Sequence, residues 1–527
     1  MITQLTLGNV RLFAGQQWKF SLPSLCVFCG SNSSGKSTIL KSLLLLRQSQ
    51  GSQQMMASSP GRLRFVGPGA DLGNYTTFIS HNDPSLRLTI GVATSGEMSS
   101  NLGRHLVRLF GQAAPFSSRR IPFTFSANFT FMSRQESPEQ GSTYRPHESL
   151  SGVLESSVCK IVSDDVTLLA WDVIRQDKAG PGSLYNTQYQ INVPLNLIQG
   201  TGFVDSAEIE HDDAAQSVPM PVILSGLLPE NMVAKIKKSL VGARSPDEDR
   251  WRPWPLPPHI DLSYRLLKRS LNDIHYLGPL RSPPKRYYIT TPDDVAEMDP
   301  EGDFLPHVLV HADEIQVWHV GPSSPDPTRT LLIKALDSWL YYLRSGQRPA
   351  LDFWGQELVP SVTKDVLFEF KIKTVAGNES HSLADSGFGY SQVLPIITRC
   401  LIAEKGSTVL IEQPELHLNP AMQVRLCEFF VAMVRAGKQV LIETHSEHIV
   451  NGLRVLVAED ESGTLASNSR IYFIDAQRET PSVHELTIAD DGTVPDWPMS
   501  FFGEAINLSG RLLRAQKRFR NKPDGAH

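Results

Sequence analysis

The chain has 527 residues, of which 41% are hydrophobic and 20% charged, with a formal net charge of −5. That composition can bury a core and excludes a fully disordered chain, and the charge excludes a uniformly basic nucleic-acid coat. At roughly 150 residues per domain, the length suggests about three or four domain-sized units, or one large domain with an insertion.

In chain order, residues 2–29 alternate apolar and polar and predict short strands ending in LCVFC. The opening MITQLTLGNVRLF has no charged head before an apolar stretch, so no signal peptide is expected. No window approaches about 18 uninterrupted apolar residues, which predicts no membrane span. Five cysteines are too few for a disulfide framework, and the expectation is a reduced, cytoplasmic protein. Cys26 and Cys29 form a CxxC, but no second pair completes a zinc site. A buried strand is the preferred reading over redox or metal use.

Next comes Gly30-Ser31-Asn32-Ser33-Ser34-Gly35-Lys36-Ser37-Thr38, followed by the helical run ILKSLLLLRQS. Strand, Gly-rich loop and helix in that order match GxxxxGK[ST] without a gap. Backbone N–H groups of Asn32 to Lys36 are expected to wrap a phosphate at the helix N-terminus, with Ser33, Ser34 and Gly35 in the cradle. Lys36 supplies a charge to the β/γ oxygens, and Ser37 supplies a hydroxyl to Mg²⁺.

Residues 50–62 read as loop. From about 85 to 250 the signal is mixed, with strand-like LRLTIGV, PFTFSANFTFM and YQINVPLNLI between polar stretches. The Pro-rich DEDRWRPWPLPPH reads as a linker or rigid elbow. A helix (SYRLLKRSLNDI), a strand and turn (HYLGPLRSPPKRYY) and an apolar helix at 330–345 follow. From 365 strands and helices alternate again. STVLIEQPELHL places Glu412 at the C-terminal end of an apolar strand, where an acid can hold Mg²⁺ or its water. About thirty residues on, KQVLIETHSEHIV brings His445 to the mouth of the sheet, within reach of a γ-phosphate. His445 and His448 as a metal pair is the weaker reading, for want of further ligands. Upstream, Ser386, Gly387 and Gly389 in SGFGYSQ open a helix, a second anion-binding N-terminus.

As a set these motifs resemble the ABC-type ATPase heads of the SMC, RecF and OLD-like AAA class. TQLTLGNVRLF is similar to their N-terminal strand motif and GSNSSGKST to their Walker A. SGFGYSQVLP is similar to their signature, EQPELHLNP to Walker B and D-loop, and ETHSEHIV to the H-loop. HYLGPLRSPPKRYY is similar to a segment of the OLD-like branch, and IADDGTVPDWPMSFFGEA to an uncharacterised C-terminal tail domain. The resemblance implies an α/β fold, a split head of mixed sheets and flanking helices with a long mixed α/β insertion. The halves are expected at 1–90 and 355–480, with an insertion at 91–260, a helical connection at 261–354 and a tail at 481–527.

It further implies ATP and Mg²⁺ as cofactors, with Asn32 to Thr38 on the nucleotide and Ser37 and Glu412 on the metal. Heads would pair as a homodimer or higher homo-oligomer, with Ser386, Gly387 and Gly389 of one chain on the γ-phosphate of the other. The family's catalytic Glu aligns with Gln413, which cannot accept a proton from water. General-base help of about 10²–10⁴-fold is then lost unless Glu415 or His445 substitutes. Turnover is expected to be slow. Gln48 and the segment 71–75 are alternative Q-loop locations. Related ATPases of the Septu, retron-associated and PARIS type imply anti-phage defence with a separately encoded effector, a nuclease or toxin. The alternative is a repair or chromosome-maintenance ATPase of the SMC or RecF type with DNA or RNA as partner. The basic runs at 235–244 and 511–522 would favour it.

Overall fold

The computed structural model describes residues 1–50, 60–67, 69–99, 120–135, 150–176, 188–198, 217–235, 251–289, 300–350, 358–363, 367–373, 380–385, 388–476, 481–495, 497–498 and 510–516. Two sheets organise them. One has ten antiparallel strands. Ile2–Gly8 and Trp18–Ser21 lie at one side, and eight strands from Leu88–Ser99 to Trp251–Pro255 follow each other in sequence order. Arg120–Gln135 shows why they form: Ile121, Phe123, Phe125, Ala127, Phe129 and Phe131 recur every second residue, and all are buried.

The other sheet has six strands in the order Ile274–Leu277, Thr408–Glu412, Gln439–Glu443, Leu25–Gly30, Ser469–Asp475 and Ser482–Leu486. The first five are parallel and the last is antiparallel. Its strands are continuous apolar runs because both faces are covered. Cys26, Phe28, Leu410, Leu441 and Tyr472 point into one core with helices Lys36–Gln48 and Pro258–Asn272 and the ten-stranded sheet. Leu25, Val27, Cys29, Val409, Ile411, Val440 and Ile442 point into a second core. Helices Leu332–Ser345, Phe388–Ile402, Pro420–Arg435 and Glu447–Ala458 cover that face. Helix Pro258–Asn272 is held on the ten-stranded sheet by aromatic contacts. Tyr264 accepts a hydrogen bond from Trp171 Nε1 at 2.8 Å, and Phe125 stacks on Trp171 at 5.6 Å.

Several sequence expectations change here. The 90/91 boundary falls inside strand Leu88–Ser99, and that strand pairs with Ile2–Gly8. The expected insertion therefore continues the N-terminal sheet. The 260/261 boundary falls inside helix Pro258–Asn272. WRPWP is an edge strand rather than an elbow, since an edge tolerates prolines that lack a ladder donor. Cys26 and Cys29 lie three residues apart on one strand, so they enter different cores; both are buried, free thiols. Among the described residues no helix is long and apolar enough to cross a membrane.

Candidate functional site

The C-terminal ends of the parallel strands meet the loop after Leu25–Gly30. Gly30 has φ +133°, and an added Cβ would lie 2.0 Å from the Ile474 carbonyl oxygen, so no side chain fits beside the neighbouring strand. Gly35, at φ +96°, precedes helix Lys36–Gln48, whose N-terminus no side chain caps. Its first N–H groups and the helix dipole are thus left for an anion. Lys36 Nζ donates to the carbonyls of Ser31 (2.6 Å) and Gly30 (3.3 Å). Burial lowers the Lys36 pKa, opposed chiefly by the charge of Glu443.

Ser37 Oγ donates to Glu443 Oε1 at 2.8 Å. The other oxygen, Glu443 Oε2, is buried without a hydrogen-bond partner among the described residues. Burial raises the Glu443 pKa, while the Ser37 bond and the Lys36 charge hold it down. A hydroxyl and an unsatisfied carboxylate oxygen, both hard oxygens, fit one edge of a Mg²⁺ coordination shell.

Glu412, expected in that place, lies elsewhere. It pairs in register with Glu443 on the adjacent strand, but Tyr276 donates its hydroxyl to Glu412 Oε1 at 2.9 Å. Burial, and then the nearby Glu443 charge, push its pKa up to about 7. Glu412 does not line the pocket at the glycine-rich loop.

That pocket has a volume of about 380 Å³. It is lined by Asn32, Ser33, Ser34, Gly35, Lys36 and Ser37 on one side and by Gln413, Glu443 and His445 on the other. Thr38 is buried in the helix behind it. A second cavity of about 530 Å³ shares Asn32, Gln413 and His445 and extends past Glu415, Gln423 and His448. Gln413 sits at φ +46°, unusual for a residue with a Cβ. Glu415 accepts from Thr444 Oγ1 (2.8 Å) and from the His445 N–H (2.7 Å), so both its oxygens hold the loop after Gln439–Glu443. Burial and the Lys36 charge lower the His445 pKa, which favours neutral imidazole.

Gly389 opens helix Phe388–Ile402 and does not line the pocket; Ser386 and Gly387 lie outside the described residues. Gln48 donates to the carbonyls of Arg64 and Phe65, away from the pocket. Among the described residues there is no cluster of three His, Cys, Asp or Glu that could hold a metal.

Glu412 and Glu443 end adjacent parallel strands, and Gln413 and His445 follow them. Residues 354–450 match the AAA ATPase domain. The match contains those four residues and Gly389, and does not include the glycine-rich loop at residues 30–35. No curated protein matches the chain. Three similar solved structures are SMC heads. An SmcHead bound to the C-winged helix domain of ScpA shares 11% identity, covering 92% of this chain and 98% of that one, with a TM-score of 0.37. An Smc head domain with an extended coiled coil, bound to the C-terminal domain of ScpA derived from Pyrococcus furiosus, shares 11% over 97% and 99%, TM-score 0.34. The SMC head domain from Thermotoga maritima shares 8% over 92% and 98%, TM-score 0.33.

Proposed function

We propose that this chain is a slowly hydrolysing, ABC-type ATPase that acts as a sensor or scaffold in bacterial anti-phage defence, controlling a separately encoded nuclease or toxin. The observation that carries the ATPase part is the pocket joining Lys36, Ser37, Glu443, Gln413 and His445 at an uncapped helix N-terminus. Phosphates sit on the amides of residues 32–36, and Lys36 exchanges loop carbonyls for phosphate oxygens. Ser37 and Glu443 would hold Mg²⁺, which neutralises charge on the β/γ oxygens when bound.

Gln413 orients water through its amide but takes no proton, so general-base help of about 10²–10⁴-fold is missing there. Glu415 already spends both oxygens on Thr444 and His445, which makes it a clamp for the loop rather than a substitute base. Neutral His445 hydrogen-bonds the γ-phosphate. The resemblance of SGFGYSQ to a signature motif supports head-to-head pairing, in which a second copy brings Ser386, Gly387 and Gly389 over the nucleotide. The defence role rests on the resemblance of the motif set to the Septu, retron-associated and PARIS ATPases.

A DNA-binding repair or chromosome-maintenance ATPase is the second reading, favoured by exposed Arg511 and Arg514 on the segment 510–516. Purifying the native protein with its companions, and titrating duplex DNA against salt, separates the two. A co-purifying effector and no DNA affinity support the defence role. DNA binding that falls steeply with salt, with no companion, supports the second.

A further inference from the structure

One buried guanidinium stands behind the pocket wall that faces the phosphate loop. The peptide between Glu412 and Gln413 is held at both ends. Its carbonyl accepts from Arg281 Nη2 at 2.9 Å, and its N–H donates to the Glu443 carbonyl at 2.7 Å. That double hold keeps Gln413 at φ +46°, a conformation costing about 1–3 kcal/mol, with its side chain on the pocket. Arg281 is 6% exposed, and its Nε and Nη1 find no hydrogen-bond partner among the described residues. Its charge acts on Glu415, the carboxylate that fixes Thr444 and the His445 N–H. Arg281 itself touches neither pocket; it reaches this wall from the segment after strand Ile274–Leu277, whose course is set by Gly278 N–H on Pro300 and Ser282 N–H on Glu301.

We propose that Arg281 is a positioning residue that aims Gln413, and through Glu415 also His445, at the γ-phosphate side of the nucleotide pocket. This rests on the ATPase reading above. A buried cation serves here better than a neutral donor. It bonds a carbonyl directly and its charge offsets the Glu415 carboxylate. Its effect on the reaction is geometric, and loss of aim by about 1 Å can cost about 100-fold in rate.

The test uses the full chain and measures ATP affinity and single-turnover hydrolysis separately. Arg281→Met is expected to hold ATP within about threefold of wild type and to slow hydrolysis about 10- to 100-fold. In a background carrying both Gln413→Ala and His445→Ala, the same change should cost less than about threefold, because both side chains being aimed are gone. Equal losses in both backgrounds, or hydrolysis by Arg281→Met at the wild-type rate, overturn the proposal. Should Arg281→Met not fold, Arg281→Lys carries the same cycle, since it keeps the charge and shortens the reach to Glu412. A wild type that neither binds nor hydrolyses ATP would instead sink the ATPase reading itself.

Discussion

Replacing Glu412 with Gln isolates what burial does to that carboxyl. The residue is 3% exposed, its carboxyl accepts the Tyr276 hydroxyl, and Glu443 lies beside it in register. Burial first, and the Glu443 charge second, raise its pKa from 4.5 to about 7. A carboxyl raised in the folded state favours the fold in its protonated form. That contribution is complete below the unfolded pKa and is lost as pH rises through the folded one. A rise of this size corresponds to about 3 kcal/mol between the two protonation states. The amide of Glu412→Gln would keep an acceptor for Tyr276 and never ionise. The variant should therefore gain on wild type as pH rises, by about 2–3 kcal/mol between about pH 5 and pH 8. Urea midpoints of nucleotide-free, chelator-treated protein across that range measure it. Parallel profiles, or a variant less stable than wild type near pH 8, would refute the reasoning.

Glu443→Gln should weaken Mg²⁺ binding to the nucleotide complex by about tenfold or more, whereas Glu412→Gln should not; metal titration by calorimetry reads both. Tyr264→Phe leaves the Trp171 N–H without its buried acceptor and should cost about 1–3 kcal/mol in urea unfolding. Burial raises the pKa of Cys26 and Cys29, so a thiol reagent should leave both unlabelled in the native protein and label both once it is unfolded.

The strand, glycine-rich loop and helix at residues 25–48 were legible because their requirements are local: an apolar run, glycines with free φ and a helical run, all adjacent in the chain. The acid that meets Ser37 was not. VLIE occurs at 409–412 and again at 440–443, and both read as an apolar strand ending in a carboxylate. Only sheet order decides between them. Gln439–Glu443 lies directly beside Leu25–Gly30, so Glu443 meets Ser37, while Glu412 is one strand further away and turns to Tyr276. Repetition of the pattern was the available signal. The strand of PFTFSANFTFM was visible from its alternation, as was Tyr189–Pro194, whereas LNLI, read as strand, is a short helix at Leu195–Ile198. The union of those strands with Ile2–Gly8 was not visible, since pairing between residues 2–8 and 89–94 leaves no trace in either segment alone. The role of Arg281 cannot be read from its own segment, because the carbonyl it serves is 131 residues away.

ATP turnover of wild type, Lys36→Ala and Gln413→Glu, measured side by side, tests whether the nucleotide pocket is built for slow hydrolysis. Wild type should turn over slowly, Lys36→Ala not at all, and Gln413→Glu faster by about 10²-fold or more, because it places a carboxylate on the wall facing Ser37. Turnover that survives Lys36→Ala, or fast wild-type turnover that falls in Gln413→Glu, would contradict a pocket built that way.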